Sequence, residues 1–413
     1  MKVLLIDVYN YYRGGAETVY FNTGALLEEA GHEVVYFTLK WDENIPSPYS
    51  DYFPESKGTR RGVFRQFVNL VNYFYHFEAA RNLEKLIDIE KPDIAHVHLI
   101  WGQLTSSILR SLKKKGVPTV LTAHDYRIVC PAYAFRDGKG EICEKCRGKH
   151  FYNCFFRKCS KGKVIESGVM ALEQYFRNRF FHPARMIDGM IFVSDFSKKK
   201  HLEYMPELKC LPIITLYNMS HISDNRKSFD GGRYFLYFGR LSAEKGVRTL
   251  VDAFINAPCA RLKIAGSGPL ENELRSLVNE SNADNIEFLG FKRGTDLNSL
   301  IENAAFIIVP SECYENNPMA IVEGNGLGVP VIGSRIGGIP EIIEEGKTGF
   351  MFDPGDSKSL VAVVEKVVAL TDEGILKMGC EAQRFAREHF GIEQYRKRLM
   401  GFYNEVIESN IRE

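Results

Sequence analysis

Short, nearly continuous apolar runs bounded by turn residues recur along the chain, and each is followed by a longer stretch of helical period. In the first half they are KVLLID, EVVYFT, DIAHVH, PTVLTA and GMIFVS; in the second they are YFLYFG, RLKIAG, NIEFLG, FIIVP and VPVIGS. Strands apolar on both faces that alternate with helices predict the α/β class, as two Rossmann-like doubly wound parallel sheets. The stretch 218–233, NMSHISDNRKSFDGGR, is polar and poor in periodic apolar residues, so it is the expected linker. It separates an N-terminal domain, 1–217, from a C-terminal domain, 234–390, and 391–413 is expected to form a last helix that packs back on the first domain. Open α/β sheets bind ligands at the carboxyl ends of their strands, so function is expected in a cleft faced by both strand sets.

Composition narrows the class of protein. With 413 residues, 45% hydrophobic and 25% charged, the chain can build two cores, which disfavours a disordered, collagenous or coiled-coil protein. Lys+Arg 53 against Asp+Glu 52 leaves no overall field to gather nucleic acid, which is not an expected partner. No run of eighteen apolar residues occurs, so no helix is expected to span a bilayer. In the opening MKVLLIDVYN, Asp7 interrupts the apolar run, so the segment reads as a buried strand and not as a signal peptide. Nine cysteines, an odd count without an export signal, point to the cytoplasm and away from a disulfide framework.

Several motifs fall at the expected strand ends. FGRLSAEKG places Arg240 and Lys245 in a loop, a guanidinium and an ammonium suited to a diphosphate; the plain alternative is a solvated loop in which Glu244 pairs with Lys245. In PSECYENNPMAIVEGNGLGVPVIGS, Asn317 reads as an N-cap and Pro318 as the first helical residue, leaving the N–H groups of Met319 and Ala320 free as an anion seat. Glu315 then lies just outside the helix and Glu323 one to two turns into it. They can accept bonds from sugar or ribose hydroxyls, or serve as ordinary surface and dipole-complementing carboxylates. Gly266 and Gly268 of IAGSGPLENEL allow close backbone approach, but the third glycine of a dinucleotide fingerprint is missing, which disfavours a dehydrogenase. In the first half, Gly14 and Gly15 open the first helix, and His124 and Asp125 follow the strand PTVLT, where a histidine either contacts substrate or is structural.

Taken together, GRLSAEKG, the Gly-x-Gly-Pro turn, the Glu315 to Glu323 spacing and GxPVIxSxxGGxPE at 328–341 resemble the donor-binding half of the retaining glycosyltransferases of family 4, which have the GT-B fold. The Gly-Gly turn and the His-Asp pair are similar to that family's acceptor-side half, and the resemblance covers nearly the whole chain. It implies an enzyme that moves a sugar from a nucleotide diphosphate sugar to a glycan or lipid-linked saccharide, in surface polysaccharide assembly, with no cofactor required for catalysis. It further implies that Arg240 and Lys245 neutralise the departing diphosphate, which Asn317, Pro318, Met319 and Ala320 seat. Glu323 would hold the ribose, Glu315 a sugar hydroxyl, and His124 the sugar near its reacting centre, with Gly15 approaching it. Phe291 would mark where backbone meets the base. GNGLG after Glu323 departs from the family's alanine-rich helix. No carboxylate nucleophile is identifiable, so retention is implied by same-face attack. A GT-B nucleotide-sugar epimerase and a catalytically silent sugar-nucleotide-binding scaffold stay open; product analysis separates the first, and retention of all four charged residues argues against the second.

Two features lie outside that core. Cys130, Cys143, Cys146, Cys154 and Cys159 are separated by twelve, two, seven and four residues, a spacing that suits a structural zinc, another cluster, or free thiols. Arg136 to Lys163 holds nine Lys/Arg against three Asp/Glu, and the segment is similar to an insertion in some bacterial members of the family. Between Lys57 and Lys85, Arg60, Arg61 and Arg65 accompany Phe64, Phe67, Tyr73, Phe74, Tyr75 and Phe77. Such a segment either covers a sheet face or lies in a membrane interface, which would suit a lipid-linked acceptor at the inner face of the cytoplasmic membrane.

Overall fold

The computed structural model describes residues 1–56, 63–223 and 232–411. They form two compact units: Met1–Leu216 with Arg396–Glu413, and Tyr217–Tyr395. Arg60, Arg61 and residues 224–231 of the polar stretch lie outside the described residues, as do the side chains of Phe64, Arg65 and Phe67.

In the first unit, β1 (Lys2–Ile6), β2 (Glu33–Phe37), β3 (Ile94–Val97), β4 (Thr119–Ala123), β5 (Gly189–Phe192) and β6 (Ile213–Thr215) form one parallel sheet in the order β2-β1-β3-β4-β5-β6. Strands β3, β4 and β5 are buried along their whole length, as continuous apolar runs require when helices cover both faces. The helix Ile392–Ile411 completes this unit from the far end of the chain. A Cβ on Gly189 in β5 would stand 2.6 Å from Val406 Cγ2, so the missing side chain permits close packing there. Tyr403 from the same helix reaches the His96 Nδ1 at 2.6 Å inside the sheet.

The second unit repeats the architecture with β7 (Phe235–Phe238), β8 (Leu262–Ala265), β9 (Ile286–Gly290), β10 (Phe306–Val309), β11 (Val331–Ser334) and β12 (Gly349–Phe352), ordered β12-β11-β10-β7-β8-β9. Its core lies on both faces of the sheet, with Phe254, Phe306 and Phe350 in one cluster and Ile307, Val331 and Phe390 in the other. The ten apolar runs all become strands. The two strands they leave out, β6 and β12, are edge strands, and they lie in the short apolar stretches LPIITL and GFMF.

Candidate functional site

In the C-terminal unit the sheet order reverses direction between β7 and β10, the place where a crevice opens at the carboxyl ends of the strands. The loops leaving those two strands carry Arg240 and Lys245 on one side and Ser311 to Asn317 on the other. Gly246, with φ 66°, locks them together: a Cβ there would lie 1.8 Å from the carbonyl oxygen of Pro310. The Glu312 N–H donates to the Glu244 carbonyl at 2.9 Å across the same junction.

The result is a charge pair built from two loops. Lys245 Nζ donates to Glu315 Oε1 at 2.6 Å, and the Ser311 hydroxyl donates to the same oxygen at 2.7 Å. Burial alone would lower the Lys245 ammonium, but the adjacent Glu315 carboxylate outweighs it and holds the ammonium raised. Glu244 does not take Lys245; it accepts from the Ser242 hydroxyl at 2.6 Å. Arg240 is exposed and makes no ion pair among the described residues, which leaves its guanidinium open to an anion. Gly266 and Gly268 back this loop: a Cβ on the first would meet the Gly239 carbonyl at 1.9 Å, and on the second the Leu241 carbonyl at 2.4 Å. Their contribution is thus close loop packing behind Arg240.

The helix Met319–Gly326 begins one residue later than the expected cap. Pro318, at ψ 122°, is the N-cap, and the Asn317 side chain turns away to accept the Asn218 N–H at 2.8 Å. Asn317 is therefore not the N-cap: the proline sets the entry, and the amide ties the loop to the segment before β7. The carbonyl of Pro318 accepts only from Ile321 and Val322, so the Met319 and Ala320 N–H groups have no acceptor among the described residues. Glu323, on the second turn, has no partner among the described residues, and burial raises its carboxyl to about 7. Phe291 follows β9 with its ring 70% exposed.

In the N-terminal unit the reversal falls between β1 and β3. Gly14 and Gly15 are exposed at the start of the helix Gly15–Glu29. His124 follows β4 and stacks on His98 at 5.1 Å, with its Nε2 2.8 Å from His98 Nδ1. One of these nitrogens carries the proton and the other accepts it, so the pair orients itself. Burial lowers His124 to about 4. Asp7, fully buried beside them in sequence topology at the end of β1, accepts from the Tyr9 and Leu99 backbone N–H groups. His98, Ser311 and Asn218 were not singled out in the sequence; the HVH at the end of the third apolar run was the available signal for His98.

The five cysteines carry free thiols. Cys146 and Cys154 are buried with Phe151 and Ala171, and Cys159 packs against them. The Cys159 thiol is raised by its hydrogen bond to Cys154 and by burial, and burial pushes Cys130 up to about 11. Among the described residues no group of three His, Cys, Asp or Glu side chains is set to hold a metal ion. In the aromatic segment, Tyr73 bonds to Arg127, while Phe74 packs on Phe176 at 5.5 Å and Tyr75 on Phe181 at 5.4 Å; Phe77 stays 60% exposed. No helix among the described residues is long and apolar enough to cross a membrane.

Comparison with known proteins agrees with this geometry. Residues 219–384 match the family model for glycosyl transferases of group 1, and residues 13–213 match that for glycosyltransferase family 4. An uncharacterized glycosyltransferase of Methanocaldococcus jannaschii is 27% identical over 94% of this chain and 94% of its own. The amylovoran biosynthesis glycosyltransferase AmsK of Erwinia amylovora is 27% identical over 31% of this chain and 34% of that protein. Among solved structures, Anabaena HepE in complex with UDP superposes with a TM-score of 0.64 at 18% identity, covering 98% of this chain and 100% of that one. With its two doubly wound units and both halves matched, the chain belongs to the family 4 glycosyltransferases and is an enzyme of glycosyl transfer with the GT-B fold.

Proposed function

We propose that this enzyme transfers a sugar, with retention of anomeric configuration, from a nucleotide diphosphate sugar to a glycan or lipid-linked saccharide in surface polysaccharide assembly. The observation that carries the donor reading is the convergence in one unit of Lys245, bonded to Glu315, with an unpaired Arg240 loop and a helix start whose first N–H groups lack acceptors. Positive charge and free donors at a strand-end switch point favour a diphosphate, and the charge that grows on it as the glycosidic bond breaks is stabilised most. Arg240, Lys245, Met319 and Ala320 take the diphosphate. Glu315, with one oxygen held by Lys245 and Ser311, offers its other oxygen to a sugar hydroxyl, and Glu323 binds the ribose. His124, in the N-terminal unit, is neutral at pH 7 and can donate or accept a hydrogen bond without carrying charge. The UDP complex of HepE and the role named for AmsK support the donor class and the polysaccharide setting.

We place the enzyme at the inner face of the cytoplasmic membrane as a peripheral protein, since lipid-linked saccharides are presented there. The donor reading is tested by a thermal-shift panel of UDP, GDP, ADP and their sugars, because a ligand of the native state raises stability with the logarithm of its saturation. At least one nucleotide should raise the melting temperature of the wild type and fail to do so in Arg240→Ala. No shift with any of them would overturn the reading. Anomeric assignment of the product tests retention.

A further inference from the structure

The helix Val164–Phe180 is built inside out. Its buried side is mostly polar: Ser167, Gln174 and Arg177 are 0% exposed and Glu173 is buried with them, and the buried apolar residue among them is the small Ala171. Most of their polar atoms are bonded there, Arg177 Nη1 excepted. Gln174 Nε2 donates to the Ile128 carbonyl at 2.6 Å, Arg177 Nε to Glu173 Oε1 at 3.0 Å, and the Arg177 guanidinium lies 4.3 Å over the Trp101 ring. The opposite stripe is apolar and faces outward: Ile165 is 82% exposed, Leu172 61% and Phe180 58%. A helix that only served the fold would carry the reverse pattern. The short helix Tyr152–Phe156 lies across it at Gly168 and adds Phe156, 72% exposed.

Charge surrounds this face. From Lys145 to Lys163 the sequence holds seven Lys/Arg and no Asp/Glu. Lys158, Lys161, Arg179 and Arg185 make no ion pair among the described residues. Arg179 stands on the same helical stripe, seven residues beyond Leu172, and lines a cavity of about 410 Å³ together with Lys149, His182, Arg185 and Glu207. Lys149 is paired with Glu207 at 2.9 Å, which leaves Arg179 and Arg185 as the cations there without an ion pair among the described residues. His182 is 8% exposed, and neither ring nitrogen has a hydrogen-bond partner; its Nε2 is 3.8 Å from Glu207 Oε1. An unsatisfied buried ring nitrogen beside two unpaired guanidinium groups suits a phosphate oxygen.

We propose that this face is a docking surface for an anionic phospholipid bilayer, with Ile165, Leu172, Phe156 and Phe180 entering the interface and the Arg179–His182–Arg185 cavity taking a lipid headgroup phosphate. Apolar side chains ringed by unpaired cations match a surface that is negative outside and apolar just beneath. The inference deepens the peripheral-membrane part of the proposed function and rests on it, while the donor reading stands apart.

The test is flotation of the full-length protein with vesicles of phosphatidylcholine alone or with phosphatidylglycerol added, at low and high salt. Two double variants are compared, Ile165→Ser with Leu172→Ser and Arg179→Glu with Arg185→Glu, each with its melting temperature matched to the wild type. Wild type should float with the anionic vesicles only and less at high salt, and each variant should partition about tenfold more weakly. Equal flotation of the variants would overturn this surface while leaving membrane association standing. No flotation of the wild type would overturn both, and the UDP thermal shift would still report on the donor site. A dimer in sedimentation that the serine variant dissolves would assign the face to a second copy and overturn the lipid.

Discussion

Lys245 Nζ and Glu315 Oε1, seventy residues apart in sequence, meet at 2.6 Å because the loops after β7 and β10 leave neighbouring strands at the point where the sheet order reverses. Neither residue would be held without the other loop. The pair gives the ammonium a fixed position and leaves it a third exposed, ready for a second anion.

Loss of that ammonium should therefore act on turnover more than on folding. Lys245→Ala is expected to lower kcat by about 10²- to 10³-fold, the effect of removing one preorganised stabiliser of developing charge, with KM changed less. Glu315→Gln should also lower turnover, since the neutral amide no longer orients Lys245. Steady-state kinetics with the donor identified by thermal shift would check both, and wild-type turnover in Lys245→Ala would remove the lysine from the mechanism.

Gly246 is where the two loops cannot spare an atom. Its left-handed φ and the Pro310 carbonyl against it predict that Gly246→Ala destabilises the protein by more than about 2 kcal/mol. Denaturant unfolding reads this directly. Gly401→Ala, where a Cβ meets nothing within 4 Å, is the control and should leave the midpoint unchanged or slightly higher.

Glu323 ties stability to pH. Its carboxyl, raised by burial from 4.5 to about 7, keeps a proton in the native state that the unfolded chain releases. The contribution is full below about pH 4.5 and is lost as pH rises through 7. Glu323→Gln escapes that loss, so its melting temperature should gain on the wild type between pH 5 and pH 8, by on the order of a few °C. A constant difference across that range would mean the carboxylate is ionised throughout.

The histidines of the first unit run the other way. Burial lowers His96 to about 3 and His124 to about 4, so both stay neutral where an ordinary histidine charges near 6.5. Their stability contribution is present above pH 6.5 and is lost as pH falls toward 4. Ring resonances of the two should hold still in NMR spectra from pH 8 to pH 5; a midpoint near 6.5 for His124 would contradict its burial against His98.

The parallel sheets were legible because strands covered on both faces must be apolar throughout, and runs such as PTVLTA or FIIVP have no other use in a globular protein. β6, half exposed and three residues long, lies in the apolar stretch LPIITL but is followed by the polar segment 218–233 and not by a helical period, so the alternating pattern does not pick it out. Within the site, Arg240 and Lys245 could be read from one loop, but that Glu315 and not Glu244 takes Lys245 depends on a contact between loops. The cap of the donor-side helix shifted by one residue because Asn317 is recruited by Asn218, ninety-nine positions away. For the cysteines, spacing points to proximity, and Cys146, Cys154 and Cys159 do pack together, around Phe151, which the spacing does not show. The outward apolar stripe of Val164–Phe180 was equally hidden, since periodicity alone does not say which side of a helix meets the protein.

The N-terminal unit is discontinuous: residues 1–216 need Arg396–Glu413 to be whole. A ribosome that has finished the first half has thus made a sheet whose β5 lacks Phe402 and Val406 against Gly189, and whose His96 lacks Tyr403. That half waits, through synthesis of the entire C-terminal unit, for the helix Ile392–Ile411. The N-terminal unit is begun before the C-terminal unit and completed after it, and a fragment ending at residue 216 would meet quality control with an open apolar flank.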